Sequence, residues 1–138
     1  MGWNWAHKRK EIRQRGMRYL LAYGLDTGSP IGFLNFLYTT EEDAEGHSRR
    51  VAYVYELQLE APHQGMGIGT ALLARLASIL VSDREAPKQI MLTCFTANVG
   101  AIRFYCRHGF CVDSISPSMC NIADSGYEIL SKVLHPKG

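Results

Sequence analysis

The sequence predicts an α+β protein on one mixed sheet: an antiparallel meander, then a βαβ unit, a short helix and C-terminal strands. Three observations predict it. Strand-like stretches at residues 17–25, 31–38 and 51–59 precede any strongly apolar helical pattern. The period then changes at a glycine cluster, after which Leu72, Leu73, Leu76, Ile79 and Leu80 recur at helical spacing. Residues 88–95 follow as an apolar run of the kind found in strands buried on both faces.

In chain order, residues 4–15 are polar and helix-compatible, with Asn4 as a cap and Gly16 as a stop. The turn Asp26-Thr27-Gly28-Ser29-Pro30 joins strands 17–25 and 31–38 into a hairpin. A charged loop at 40–50 leads into strand 51–59, rich in β-branched and aromatic residues. Next come a helix over 67–82 and strand 88–95. With strand 51–59 they form a βαβ unit, so its two strands should run parallel. Asn98 can cap a short helix through Arg107, stopped by Gly109. Strands 110–115 and 127–133, joined by a polar loop at 116–126, complete the order.

The composition, 46% hydrophobic and 20% charged over 138 residues, is that of one ordinary globular domain spanning 1–138. A net charge of +2 is too small to argue for nucleic acid. Lys8, Arg9, Lys10, Arg13, Arg15 and Arg18 are nevertheless crowded at the start, where DNA or a ribosome is conceivable and a solvated face is the plainer reading. Glu41, Glu42, Asp43 and Glu45 form an acidic counterpart. The cysteines, Cys94, Cys106, Cys111 and Cys120, show neither CxxC pairing nor zinc spacing with histidines, which points to buried free thiols in a reducing compartment and no metal. Residues 1–15 do not read as a signal peptide, and no apolar run approaches the roughly 20 residues of a membrane helix. A soluble intracellular protein is expected.

The glycine cluster Gln64-Gly65-Met66-Gly67-Ile68-Gly69 sits where strand passes to helix. Glycine permits positive φ and close backbone approach, and a helix start offers unpaired amides with partial positive charge. Together they make an anion site fit for a pyrophosphate. A P-loop is excluded because no Gly-Lys-Ser/Thr follows. A dinucleotide fold is disfavoured because the loop follows a meander and only one βαβ unit exists.

Gln64-x-x-Gly67-x-Gly69 resembles the (Arg/Gln)-x-x-Gly-x-(Gly/Ala) signature of the GNAT superfamily of acyl-CoA-dependent N-acyltransferases. Asn98-x-x-Ala101-x-x-Phe104-Tyr105-x-x-x-Gly109-Phe110 is similar to that superfamily's second CoA-side motif. The resemblance implies a GNAT acyltransferase fold lacking the family's first strand and helix, with acetyl-CoA as cosubstrate. It implies a donor site of Leu57, Leu59, Gln64, Gly65, Met66, Gly67, Ile68, Gly69, Thr70, Asn98, Ala101 and Tyr105. A narrower resemblance, to the NatD family of histone N-terminal acetyltransferases, rests on several stretches. They are Trp3-x-Trp5, Tyr53-x-Tyr55-Glu56-x-Gln58-Leu59-Glu60, Met91-Leu92-Thr93-x-Phe95, Ser116-Pro117-Ser118-Met119 and Tyr127-Glu128-Ile129-Leu130-Ser131. It implies histone tails beginning Ser-Gly-Arg-Gly as acceptor and a monomer acting in cytoplasm and nucleus.

Acetyl transfer requires a neutral amine. An α-amine near pKa 8 costs only about 1 kcal/mol to deprotonate at neutral pH, so a modest base suffices. Glu56, an acid in an otherwise apolar strand, is the candidate base, with Tyr55 beside it. Tyr105, by its motif position, is the candidate acid for the departing thiolate, and a backbone amide near residues 57–59 is the expected oxyanion contact. Trp3, Trp5, Tyr53, Tyr55, Thr93 and Tyr127 are the candidate acceptor residues, and Glu41 is a candidate partner for a basic tail. In an ideal strand Tyr53 and Tyr55 point away from Glu56, so one shared site requires a bulge. Thr39 stands where the NatD pattern has an aspartate, which puts arginine recognition on Glu41 or Glu42. His63 and His108 read as loop and surface residues. The same sequence leaves open another amine acceptor, such as lysine or a different protein N-terminus. It also leaves open a non-catalytic acyl-CoA or histone-binding module.

Overall fold

The computed structural model describes residues 16–135. The helix expected over 4–15, with Trp3 and Trp5, lies outside them. Six strands form one sheet in the order β1-β2-β3-β4-β6-β5: β1 Arg18–Tyr23, β2 Pro30–Glu42, β3 Ser48–Leu59, β4 Gln89–Phe95, β5 Cys111–Val112 and β6 Tyr127–Val133. Helix α1, Ile68–Ser82, joins β3 to β4, and α2, Val99–Arg107, joins β4 to β5. β3 and β4 are parallel and all other pairs antiparallel, as the meander-plus-βαβ pattern requires. Element order and strand pairing are those of the α+β mixed-sheet fold predicted from the sequence.

Element ends differ from the sequence reading in three places. The charged loop at 40–50 shrinks to a turn, because β2 and β3 continue pairing through Thr40↔Arg50, Glu41↔Arg49 and Glu42↔Ser48. Arg49 adds to that extension by donating to the Glu42 carbonyl at 3.2 Å. Asp43 Oδ1 closes the turn by accepting from the Glu45 and His47 amides at 2.9 Å each. The strand expected over 110–115 holds its ladder for two residues; Asp113 N–H still bonds Ile129 O of β6 at 2.8 Å, while its side chain accepts from Arg49. The loop at 116–126 contains a 3₁₀ turn at Pro117–Cys120.

The core lies between the sheet and the helices. Leu34, Phe36, Ala52, Val54, Ile90, Leu92 and Leu130 from the strands meet Leu72, Leu73, Leu76 and Leu80 of α1. Ala101, Ile102, Phe104 and Tyr105 of α2 pack on the same cluster. Leu76 is fully buried, and truncating such a leucine to alanine costs about 3 kcal/mol.

Two features of β3 position the site. Asn35 pairs with Glu56 but Phe36 pairs with Val54, so Tyr55 is the extra residue of a β-bulge. The bulge reverses the alternation: Ala52 and Val54 face the helices before it, Leu57 and Leu59 after it. Glu56 thereby falls on the opposite face, together with Tyr53. In addition, β3 pairs with β4 only at Ala52↔Ile90, Tyr53↔Met91 and Val54↔Leu92, and beyond the bulge the two strands part.

Candidate active site

A cavity of about 640 Å³ opens where β3 and β4 separate and where α1 begins. Nine of the residues predicted to hold the donor line it: Leu57, Leu59, Gln64, Gly65, Gly67, Gly69, Thr70, Ala101 and Tyr105. Gly65 and Gly67 have φ of 78° and 80°, and a Cβ at either would meet nothing within 4 Å. They are glycines for backbone conformation rather than for packing. Gly67 is the N-cap of α1 and offers no capping side chain. The first intrahelical bond is Ala71 N–H to Gly67 O, so the amides of Ile68, Gly69 and Thr70 have no partner in the helix. Such a helix start, with no acid in its first turn, fits a bound pyrophosphate.

The opened edge of β3 adds more donors. Glu60 N–H bonds to Ile31 O on β2 at 2.9 Å. Because amide directions alternate along a strand, the N–H groups of Leu57 and Leu59 point the other way, into the gap left by β4. The Leu59 carbonyl, directed there too, accepts from Gln64 Nε2 at 3.2 Å. Gln64 therefore ties the glycine loop back to the strand.

Three predicted donor residues do not line this cavity with their side chains. Met66 and Ile68 line a separate apolar groove with Tyr23 and Leu25. Asn98 caps α2, its Oδ1 accepting from Ala101 N–H at 3.1 Å. Its contribution is to orient the helix that presents Ala101 and Tyr105. Conversely, Gly100, Phe104, Arg107 and His108 line the cavity and were not picked out by sequence. The reading of His108 as a surface residue is corrected: its ring lies 4.4 Å from that of Phe104 and its Nε2 is 2.9 Å from Thr70 Oγ1. The signal was the spacing of Ala101, Phe104 and His108 along one face of α2.

Tyr105 packs edge-on against Phe104 and Phe110, and burial pushes its phenol up to about 12. It therefore carries its proton at neutral pH and presents an O–H to the cavity. It is on the helix face of the sheet and Glu56 on the other, with β3 between them.

On that other face a second cavity, of about 310 Å³, is lined by Glu41, Tyr53, Val54, Tyr55 and Thr93. The Tyr53 hydroxyl is hydrogen-bonded to Thr93 Oγ1, and the Tyr53 and Tyr55 rings are 5.2 Å apart. Burial raises the Tyr53 phenol above its ordinary range. Tyr127 extends the face without lining this cavity; it pairs with Phe95, two residues beyond Thr93. Glu41 follows Thr39 by two residues on the same strand, so the acid occupies the same face one step along. Its cross-strand neighbour Arg49 is engaged elsewhere, donating to Asp113 at 2.9 and 3.0 Å.

Glu56 is held on both oxygens. Oε1 accepts from Asn35 Nδ2 at 3.4 Å and Oε2 from Gln58 Nε2 at 2.6 Å. Asn35 is itself buried, so the carboxylate is aimed by a fixed group. Of the four cysteines expected to be buried, only Cys94 is; at the β2–β3 turn, Asp43, Glu45 and His47 bring possible metal-ligand atoms within 4.8 Å of one another. The hydrogen bonds of their turn account for that clustering. Among the described residues no helix is long and apolar enough to cross a membrane.

A model of the acetyltransferase (GNAT) family matches residues 2–110. Among curated proteins the chain is 33% identical over 97 residues to N-alpha-acetyltransferase 60 of Drosophila melanogaster. That stretch is 70% of this chain and 35% of the relative, so the chain spans about a third of its length. Among solved structures, Arabidopsis thaliana Naa50 in complex with the bisubstrate analogue CoA-Ac-MVNAL is 27% identical with a TM-score of 0.59. The match covers 84% of this chain and 72% of that one. Nourseothricin acetyltransferase is 25% identical with a TM-score of 0.64, over 88% of this chain and 67% of its own.

Proposed function

The chain belongs to the acetyltransferase (GNAT) family, and we propose that it transfers the acetyl group of acetyl-CoA to the α-amine of a protein N-terminus. The relatives support this reading, one being an N-alpha-acetyltransferase and another holding a CoA-peptide analogue. The observation that carries it is the bulge at Tyr55. It sets Tyr53 and Glu56 on one face of β3 while Leu57 and the donor cavity occupy the other.

Acetyl-CoA, lying along the opened edge of β3, supplies the thioester. The amides of Ile68, Gly69 and Thr70 hold the pyrophosphate, and the Leu57 or Leu59 amide polarises the thioester carbonyl. Glu56 takes the proton of the attacking amine, directly or through one water. Tyr105 gives a proton to the departing thiolate. Tyr53, Tyr55, Thr93 and Tyr127 surround the acceptor N-terminus. Trp3 and Trp5, acceptor candidates from the sequence, lie outside the described residues.

The finer proposal is a histone tail beginning Ser-Gly-Arg-Gly. It rests on the NatD-like residues of the acceptor face and on Glu41, whose carboxylate has no ion-pair partner among the described residues and can meet the arginine. The test is a comparison of kcat/KM for peptides beginning Ser-Gly-Arg-Gly and Met-Val-Asn-Ala-Leu. At least a tenfold preference for the first is expected, equivalent to about 1.4 kcal/mol. Equal rates, or preference for the second, reject the histone acceptor and retain the α-amine reaction.

A further inference from the structure

The amide donors at the start of α1 account for one part of an anion site, but Thr70 also carries a hydroxyl there, and that hydroxyl is already engaged. His108 Nδ1 is 2.7 Å from the Phe104 carbonyl, which can only accept, so Nδ1 carries a hydrogen. In the neutral ring Nε2 is then an acceptor, and the bond at 2.9 Å to Thr70 Oγ1 uses the hydroxyl's own proton. A Thr70 hydroxyl in that state presents only lone pairs to the cavity, which repel a phosphate oxygen. Protonating Nε2 reverses the bond. The imidazolium then donates to Thr70 Oγ1, and the Thr70 O–H is released to point at the cavity.

We propose that His108 is a positioning residue of the donor site: when an anion enters, His108 takes up one proton at Nε2 and turns the Thr70 hydroxyl into a donor to that anion. This rests on the acyl-CoA reading above. The balance is simple: one proton comes from solvent, no covalent bond changes, and it returns to solvent when the anion leaves. The charged groups facing His108 make the exchange conditional. Arg107, next in its own helix, lines the same cavity. Lys132 of β6 lines a smaller cavity of about 120 Å³ with Thr70 and His108. α1 contributes Thr70 and the apolar Leu73, Ala74 and Ala77 to that wall, and no carboxylate. A phosphate entering beside these two cations favours a third positive charge on the same wall.

The experiment is calorimetric titration of the protein with coenzyme A at pH 7 in buffers of different ionisation enthalpy. The variants are His108→Gln, Thr70→Val and Thr70→Ser. Wild type should take up about half a proton more per CoA than His108→Gln, and the protons titrated by CoA itself cancel in that difference. Thr70→Ser should keep the uptake and Thr70→Val lose most of it, while NMR of the His108 ring should show its titration moving to higher pH on CoA binding in the wild type. Should His108→Gln not fold, the Thr70 pair and the NMR titration decide. Equal proton uptake in wild type and variant, or a His108 titration that CoA does not move, overturns the proposal and leaves the acyl-CoA reading standing. A wild-type protein that binds no CoA overturns both.

Discussion

On one side of β3 the donor cavity is walled largely by backbone: three free amides at a helix start, two glycines at positive φ and an opened strand edge. On the other side, Glu41, Tyr53, Tyr55, Glu56 and Thr93 make the acceptor face from side chains alone. Backbone donors recognise any pyrophosphate and vary little with sequence. Side chains can be exchanged without disturbing the fold, so the second side can change its substrate while the first keeps its donor. One bulged residue separates the two.

Mutations should therefore act on one side at a time. The largest effect is expected for Glu56→Gln, which keeps a hydrogen-bonding side chain between Asn35 and Gln58 but removes the base. Turnover should fall about 100- to 1,000-fold with the acetyl-CoA affinity unchanged, measured by steady-state kinetics and calorimetry together. A parallel loss of acetyl-CoA affinity would show that Glu56 serves the donor side.

Asp113→Asn comes next, through stability. Asp113 accepts two bonds from Arg49 and one each from Ser131 Oγ and Ile115 N–H, and these hold its carboxyl at about 2. Breaking that pair strands the Arg49 charge, whose Nε already lacks a partner, and should cost about 3 kcal/mol in chemical denaturation. The folded pKa is depressed, so the stabilisation is present above the unfolded value near 3.9 and is lost as pH falls toward 2. The wild-type advantage over Asp113→Asn should vanish across that window. Because Arg49 opens β3 on the acceptor side, the acceptor KM should rise before the acetyl-CoA affinity falls.

Gly67→Ala tests the donor side. At φ of 80° a Cβ costs about 1–2 kcal/mol and tilts the first amides of α1. Acetyl-CoA should bind roughly tenfold more weakly, with the preference between acceptor peptides unchanged. Glu41→Gln is the mildest. An exposed charge pair is worth up to about 1 kcal/mol, so KM should rise about threefold for a Ser-Gly-Arg-Gly peptide and not at all for one lacking the arginine.

The same division explains what the sequence made legible. A backbone site needs glycines at fixed intervals before a helix; Gly65, Gly67 and Gly69 were found that way, Gln64 and Thr70 by the family resemblance, and all five line the cavity. Met66 and Ile68, between those glycines, face the other way, because a turn alternates its side chains. Phe104 and His108 escaped because their role depends on α2 lying across the start of α1, and the helix face they share with Ala101 was the one local sign of it. On the acceptor side, alternation put Tyr53 and Glu56 on opposite faces. Only the pairing of β3 with β2 shows that Tyr55 is extra and that the two residues share a face. The extension of β2 to Glu42 was missed because charge was read as loop, whereas Thr40, Glu41 and Glu42 pair directly with Arg50, Arg49 and Ser48.

The most direct test of a bulged strand that serves an α-amine on one side and acetyl-CoA on the other is to locate the transferred acetyl group. The protein would be given acetyl-CoA and a Ser-Gly-Arg-Gly peptide that also contains an internal lysine, once with a free N-terminus and once with it blocked. Fragment mass spectrometry should find the acetyl group on the α-amine of the free peptide and no product from the blocked one. Acetylation of the lysine, at equal rates in both peptides, would contradict the account.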